Sequence, residues 1–401
     1  MKAGWEIKTV SEVAKHSLGK MLDKAKNKGT PRDYLRNVNV RWFAFDLSDL
    51  LQMRFLEDEE PKFTATKGDV LICEGGYPGR AAVWDEDYPI HFQKAIHRVR
   101  FHEPERNKWF VYHLYYLDLS GELRQYFTGT GIQHFTGETL ARLPIPFPPL
   151  SEQRRIVGIL DEAFEGLATA KANAEQNLQN TRALFESHLQ AVFTQRGHGW
   201  VEKPFDDLIE SNVIGLTKSS REQGDDKAWP YVKMNNITRD NRFDFSNFTS
   251  VDATDEEVRK FALENGDFLF NTRNSFELVG KSCIYESDLD GVVLFNNNIM
   301  RVRFKPGTDA HFVLLAFSSK VVGAALSALK SGTTNVSAIY FKDLKSLMIP
   351  VPPIARQKQI AGELARLSAE TQRLESLYQR KLAAIDELKK SLLHRAFSGQ
   401  L

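Results

Sequence analysis

Cations that can meet phosphates, and planar side-chain forks that can read base edges, are the chemistry this sequence offers most plainly. Lys15, Lys20, Lys24, Lys26, Lys28 and Arg32 crowd one stretch that also carries Gly19 and Gly29. Residues 1–41 hold ten Lys or Arg against four Asp or Glu, which suits either phosphate contact or a solvated face. Lys218, Ser219, Ser220 and Arg221 form a similar stretch ahead of Trp229-Pro230. A second group sits in two turns, Glu74-Gly75-Gly76-Tyr77 through Arg80, and Thr272-Arg273-Asn274-Ser275 through Lys281. Glycines there allow a backbone to approach closely, and Arg273 and Asn274 carry the donor patterns of guanine and adenine readers. An ordinary hairpin is the alternative. The third group lies in two polar loops, Gly129-Thr130-Gly131-Ile132-Gln133-His134 and Gly332-Thr333-Thr334-Asn335-Val336-Ser337. Gln93-Lys94 and Asn296-Asn297-Asn298 complete the set, although Asn also favours turns for conformational reasons. Arg98, Arg100, Arg301 and Arg303 alternate with apolar residues and read as the solvent face of a sheet.

Catalytic chemistry is not legible. Ser275 to Ser282 (SFELVGKS) lacks the first glycine of a phosphate-binding loop and has no strand–loop–helix setting. The ten histidines show no metal-ligand spacing, and Cys73 and Cys283 can form neither a disulfide framework nor a zinc site. With 42% hydrophobic and 26% charged residues, the chain reads as an ordinary soluble protein. It has no apolar run near the length of a membrane span and no signal-peptide core, so a reducing cytoplasm and no membrane partner are expected. A net charge of +1 argues against a nonspecific polyelectrolyte binder, but not against local phosphate contacts.

What must position these residues is a repeat. Pro148-Pro149 opens a stretch to Gly197 in which apolar or small residues recur at spacings of four and three: Ile156, Leu160, Ala163, Leu167, Ala170, Ala174. That is the stripe of a long helix packed on another helix, a rod roughly 65 Å long, with Ser151 as its expected N-cap. Shifted by 204 residues, Pro352-Pro353 opens a second such stretch, in which Gln357 matches Gln153, Ile360 matches Ile156 and Phe397 matches Phe193. The second stripe is Ile360, Leu364, Leu367, Thr371, Leu374, Tyr378, continuing through Ile385 and Leu392. Ahead of each rod lies a globular stretch with matching landmarks. Gly4-Trp5 is echoed by Gly199-Trp200, Tyr34-x-Arg36-x-x-Asn39 by Tyr231-x-Lys233-x-x-Asn236, and Gly68-Asp69 by Gly266-Asp267. Strands are expected at residues 69–72, 96–101, 268–270 and 299–304, and helices at 109–119 and 310–329. The expected fold class is α+β: two similar mixed α/β domains, 1–147 and 198–351, separated by long helices at 148–197 and 352–401. These helices would form an antiparallel coiled coil in a pseudo-two-fold molecule. Antiparallel packing follows because the second domain starts where the first rod ends.

The paired openings PPLSEQRRI and PPIARQKQI, each heading a long helix after a globular unit, resemble those of type I restriction–modification specificity subunits. So do the Tyr-x-Lys/Arg-x-x-Asn and Gly-Asp elements, and the likeness covers 1–401. It implies that each globular unit is a target-recognition domain reading one half of an asymmetric, bipartite double-stranded DNA site. The helices would set the spacer and dock two methyltransferase subunits, with Gln153, Ile156, Gln357 and Ile360 as candidate partner contacts, and a restriction/translocase subunit would join them. The Gly-Thr loops at Thr130, Gln133, His134 and at Thr333, Thr334, Asn335 would then lie near DNA. The chain itself would hold no cofactor and no metal and would catalyse nothing, S-adenosylmethionine, ATP and Mg belonging to partner subunits in a prokaryotic cytoplasm. A coiled-coil scaffold without DNA readout is the competing reading.

Overall fold

The computed structural model describes residues 4–23, 27–287, 289 and 291–401. The chain divides into two compact units, Met1–Gln176 with Tyr378–Leu401, and Asn177–Leu377. Each unit thus contains one globular domain and part of both long helices.

In the first unit the main sheet is antiparallel, in the order Ala14–Leu18, Ile96–Phe101, Val70–Cys73, Ala81–Val83. Val70–Cys73 is central and wholly buried, which is why its sequence runs apolar without alternation. The helix Asn107–Ser120 packs Trp109, Phe110 and Leu114 against Val70, Ile72 and Val99, and it stops at Gly121, whose φ of 79° suits a left-handed cap. A second sheet runs Leu51–Phe55, Thr30–Leu35, Ile90–Phe92, Thr64–Ala65, with Ile90–Phe92 parallel to Thr30–Leu35. The second unit repeats the plan. Its main sheet is Ile209–Ile214, Ile299–Phe304, Phe268–Asn271, Ser282–Ile284, and its second sheet also contains one parallel pair, Trp229–Val232 with Leu294–Phe295. In each domain the opening strand pairs with the closing one: Glu6–Thr9 with Pro144–Phe147, and Val201–Pro204 with Met348–Val351.

The repeated polar landmarks are structural. Asn39 is buried and donates to the carbonyls of Asp46 and Asp49, while its Oδ1 accepts from the Arg36 amide; Asn236 does the same with Asp244, Asn247 and Lys233. Asp69 and Asp267, both buried, close tight turns and accept a guanidinium fork from Arg100 and Arg303. Arg98 donates to the Thr64 carbonyl and Arg301 to that of Ala262. These four arginines therefore clamp the main sheet to neighbouring loops and are not a bare solvent face. Residues 310–329, expected as one helix, form two, Ala310–Ser318 and Lys320–Ala328, bent by 76°. Ser319 is the cause: its backbone is extended, and its hydroxyl accepts from the Val322 amide and caps the second helix. Among the described residues no single helix is long and apolar enough to cross a membrane.

The long helices are Leu150–Thr194 and Ile354–Ser398, 45 residues each. Pro149 and Pro353 supply the first acceptor carbonyls, so Ser151 lies inside the first turn and is not the cap. Gln153 and Gln357 are buried, and each donates through Nε2 to the carbonyl of the first proline of its pair, at 3.0 Å (Pro148) and 2.8 Å (Pro352). Burial recurs at matched positions: Ile156, Leu160, Leu189 and Phe193 in one helix, and Ile360, Leu364, Leu393 and Phe397 in the other. Late in the second stripe the fully buried residue is Leu393, with Leu392 only half-buried. Within the first unit the helices run antiparallel, Lys171 pairing with Asp386 at 3.3 Å and Arg155 donating to the Leu401 carbonyl. Within the second, Arg182 pairs with Glu375 at 3.3 Å, and Phe193 shares a core with Ile360.

One matched position has diverged. Phe43, at φ 64°, seats its ring among Tyr112, Tyr115 and Phe164. Its counterpart Asn241, at φ 60°, donates instead to the Ser318 hydroxyl beside an open groove of about 530 Å³ lined by Leu314, Leu364 and Thr371.

Two buried histidines make the first unit acid-sensitive. His97 and His113 hydrogen-bond through Nε2 to the carbonyls of Phe135 and Pro144, and burial holds each pKa down at about 4. Below pH 6.5 the unfolded chain takes up protons that the folded one refuses, so stability falls as pH drops from about 6.5 towards 4. At pH 5 each is expected to cost ~2 kcal/mol. Urea unfolding at pH 7 and pH 5 checks this; equal midpoints would refute it.

Candidate nucleic-acid interface

Members of all three groups meet in each domain at the edge where the main sheet meets the second sheet, whereas Lys15 and Arg32 lie within the sheets away from it. In the second unit, Gly215-Leu216 runs beside Phe295-Asn296, with Asn297 donating its backbone amide to Leu216. Thr272 accepts from Ile339, and Arg273-Asn274 pairs with Ser337-Ala338, whose other neighbour is Ser331-Gly332. This three-stranded ribbon presents Thr333, Thr334 and Asn335 at its exposed tip. Thr217, Thr272, Arg273, Asn297 and Tyr340 surround an open pocket of about 380 Å³. In the first unit Gly19-Lys20 runs beside Gln93, Phe135 donates to Glu74, and Thr128 bridges His134, leaving Thr130 and Gln133 exposed at a hairpin tip.

Several candidates are committed to the fold, because burial gives a lone cation no option but a partner. Lys20 is buried; it pairs with Glu59, donates to the Arg54 carbonyl and lies over the Phe55 ring. Lys218, with 13% of its side chain exposed, is held by Glu257 at 3.3 Å. Ser219 forms a capping box with Glu222. Lys281 donates to the carbonyls of Met234 and Ile237, and burial lowers its pKa. Arg80 donates to the Asn37 carbonyl and lies over the Tyr77 ring, whose hydroxyl donates to Asp118. Both amide groups of Asn274 are used, on Asn271 and the Ser275 amide. Gly76, at φ 77°, admits the Asn37 side chain: an added Cβ would lie 2.2 Å from its Nδ2. Arg32 is half exposed and paired with Glu60 at 3.1 Å. Gln153, Ile156, Gln357 and Ile360 are buried within the chain, which removes them as partner contacts.

Arg273, Arg221, Lys28 and Lys94 remain exposed, and no hydrogen bond or ion pair engages their side chains among the described residues. Lys24 and Lys26 lie outside the described residues. The structure adds residues that sequence reasoning passed over. Tyr340 (48% exposed), beside Lys342, and Phe276 (46% exposed), under Lys330, flank the ribbon. Tyr340-Phe341-Lys342, directly after the second polar loop, was the available signal. Cys73 and Cys283 are buried, with pKa values pushed up to about 11 and about 12, and so are unreactive. Among the described residues no group of three or more His, Cys, Asp or Glu could hold a metal ion.

The sheet edge depends on a matched pair of glycines. A Cβ on Gly19 would lie 2.2 Å from the Gln93 carbonyl oxygen, and one on Gly215 would lie 2.3 Å from that of Phe295. Because the obstacles are backbone, Gly215→Ala is expected to cost about 1–3 kcal/mol. Thermal unfolding checks this, and an unchanged midpoint would show that the strands separate freely.

The sequence profile of the type I restriction modification DNA specificity domain matches residues 2–179 and 197–382. The chain belongs to this family. Its two matched segments each start at a repeated Gly-Trp landmark and run into a long helix. Over 285 residues the chain is 24% identical to the type I restriction enzyme EcoKI specificity subunit of Escherichia coli (strain K12), covering 68% of this chain and 61% of that one. The matched region is thus less than two thirds of that relative's length. Its fold is similar to that of the HsdS subunit from Thermoanaerobacter tengcongensis, with a TM-score of 0.64, 19% identity, and coverage of 100% of this chain and 98% of that one. It is also similar to a chain from a structure of type I R-M complex assembly and conformational transition, with a TM-score of 0.72, 20% identity, and coverage of 100% and 99%. Specificity domains of this family therefore occur twice here, on one architecture with different loop residues.

Proposed function

We propose that this chain is the DNA-specificity subunit of a type I restriction–modification complex. Each globular domain reads one half of an asymmetric bipartite site. The antiparallel helices set the spacer and carry the docking surface for two methyltransferase subunits, which bring S-adenosylmethionine. A translocase and nuclease subunit, with ATP and Mg, completes the assembly. The chain itself contributes recognition and no catalysis. One observation carries this reading: two specificity-domain matches fall on two copies of one fold whose equivalent surface residues differ. Where one domain offers Arg273, Asn297 and Tyr340, the other offers Gly75, Lys94 and Thr136. Similar scaffolds with unlike donors read unlike bases, which gives an asymmetric site. Methylome sequencing of the native strain with and without the gene tests it. A bipartite methylated motif should vanish with the gene; an unaltered methylome would end this reading.

A further inference from the structure

We propose that Arg273 is the guanine-reading side chain of the second domain. This rests on the specificity-subunit reading above and names the base class that one site takes.

Four observations converge on it. First, Arg273 is exposed and its guanidinium has no partner among the described residues. Of the other cations in this domain, Lys218 is paired with Glu257 and Lys281 donates to two carbonyls, while Lys342 lies over the Tyr340 ring. Second, its backbone is held from three sides. It pairs with Ala338, its carbonyl accepts from the fully buried Asn271 amide at 3.1 Å, and the Thr272 amide before it donates to Asn298 at 2.8 Å. A side chain that reads a base must be aimed by a fixed backbone, because misplacement of about an ångström loses a bidentate bond. Third, it stands at a concave pocket with Thr217, Thr272, Asn297 and the exposed ring of Tyr340. This mixture of neutral hydrogen-bonding groups and an aromatic face fits a base edge, whereas a phosphate site would gather backbone amides and further cations. Fourth, the matched position in the first domain is Gly75, beneath the His134 imidazole, with Lys94 in place of Asn297. The fork is therefore not part of the shared scaffold. A planar guanidinium presents two parallel N–H donors that match O6 and N7 of guanine, which no other base offers in the major groove.

The experiment compares the full chain with Arg273→Ala and Arg273→Lys in the methyltransferase complex, on duplexes in which each base pair of the second half-site is replaced in turn. Arg273→Ala should weaken binding to the native duplex about 10- to 100-fold and abolish discrimination at one G·C pair. Preferences elsewhere, the first half-site included, should stay intact. Arg273→Lys should not restore that discrimination, because an ammonium cannot fork. Since no hydrogen bond or ion pair engages the exposed side chain among the described residues, both variants should melt with the wild type. Uniform weakening on all duplexes, with the salt slope reduced by about one, would make Arg273 a phosphate contact and overturn the proposal while leaving the DNA reading standing. If the wild-type complex selects no sequence, the specificity reading itself falls, and this proposal with it.

Discussion

Phe397→Ala is expected to destabilise the first unit by about 3–5 kcal/mol. The ring is buried in the last turn of the C-terminal helix, stacked on Tyr116 at 5.3 Å and tilted against Trp109 at 4.6 Å and His113 at 5.2 Å. Its neighbours Ile156 and Leu160 belong to the other long helix and share the same core. Removing it leaves a cavity bounded by three elements, none of which can collapse inward without breaking its own packing. Phe193→Ala should have a similar effect in the second unit, where that ring lies 5.5 Å from Phe312 and 5.9 Å from Trp200. Leu388→Ala, on the exposed side of the same helix, should stay within about 0.5 kcal/mol. Urea unfolding followed by tryptophan fluorescence separates these outcomes. A loss at Phe397 no larger than at Leu388 would mean that the helix end is not anchored.

Adding seven residues to one long helix alone is expected to abolish binding to the native site, while matched additions to both should lengthen its spacer. Seven residues are close to two turns, so the buried stripe returns to nearly the same face. They add about 10 Å of helix, near three base pairs of B-DNA. The insertions belong between Lys171 and Arg182 and between Glu375 and Asp386, where no domain core is touched. A single insertion breaks the Lys171–Asp386 and Arg182–Glu375 registers against each other and should lose more than 100-fold in affinity. Methylome sequencing of the doubly extended variant should return the same half-sites with about three more intervening base pairs. An unchanged spacer would disprove the proposed role of the helices.

The elements were largely legible because their signals are local. The unbroken apolar run at Val70–Cys73 and the four-three spacing after Pro149 need no knowledge of what lies across the fold. The repeat added long-range information, since two copies of one pattern must obey one topology. What failed was the assignment of charge. Lys20 and Lys218 look alike in sequence and both sit among loop residues, yet each meets a carboxylate 39 positions away, Glu59 and Glu257. No spacing rule reaches that far. Separations of 43 and 47 positions hid the carbonyls that occupy Arg80 and Lys281. The helix break at Ser319 was readable in principle, as a serine before Lys320 is an ordinary N-cap signal, but the apolar run on both sides masked it.

The strand that opens each domain lies hydrogen-bonded to the strand that closes it. A domain entered and left through adjacent strands is topologically a plug with both leads on one side. Its interior can be lifted out and replaced by a foreign one without disturbing the path of the remaining chain, provided the terminal pair keeps its register. Recombination between genes of this kind, with crossovers in the codons around Thr9 and Pro144 or around Pro204 and Met348, would transplant the whole set of loops proposed to read bases in one event. Under the proposed function, new target sequences would then arise by shuffling as well as by point mutation, with the rest of the chain never having to change.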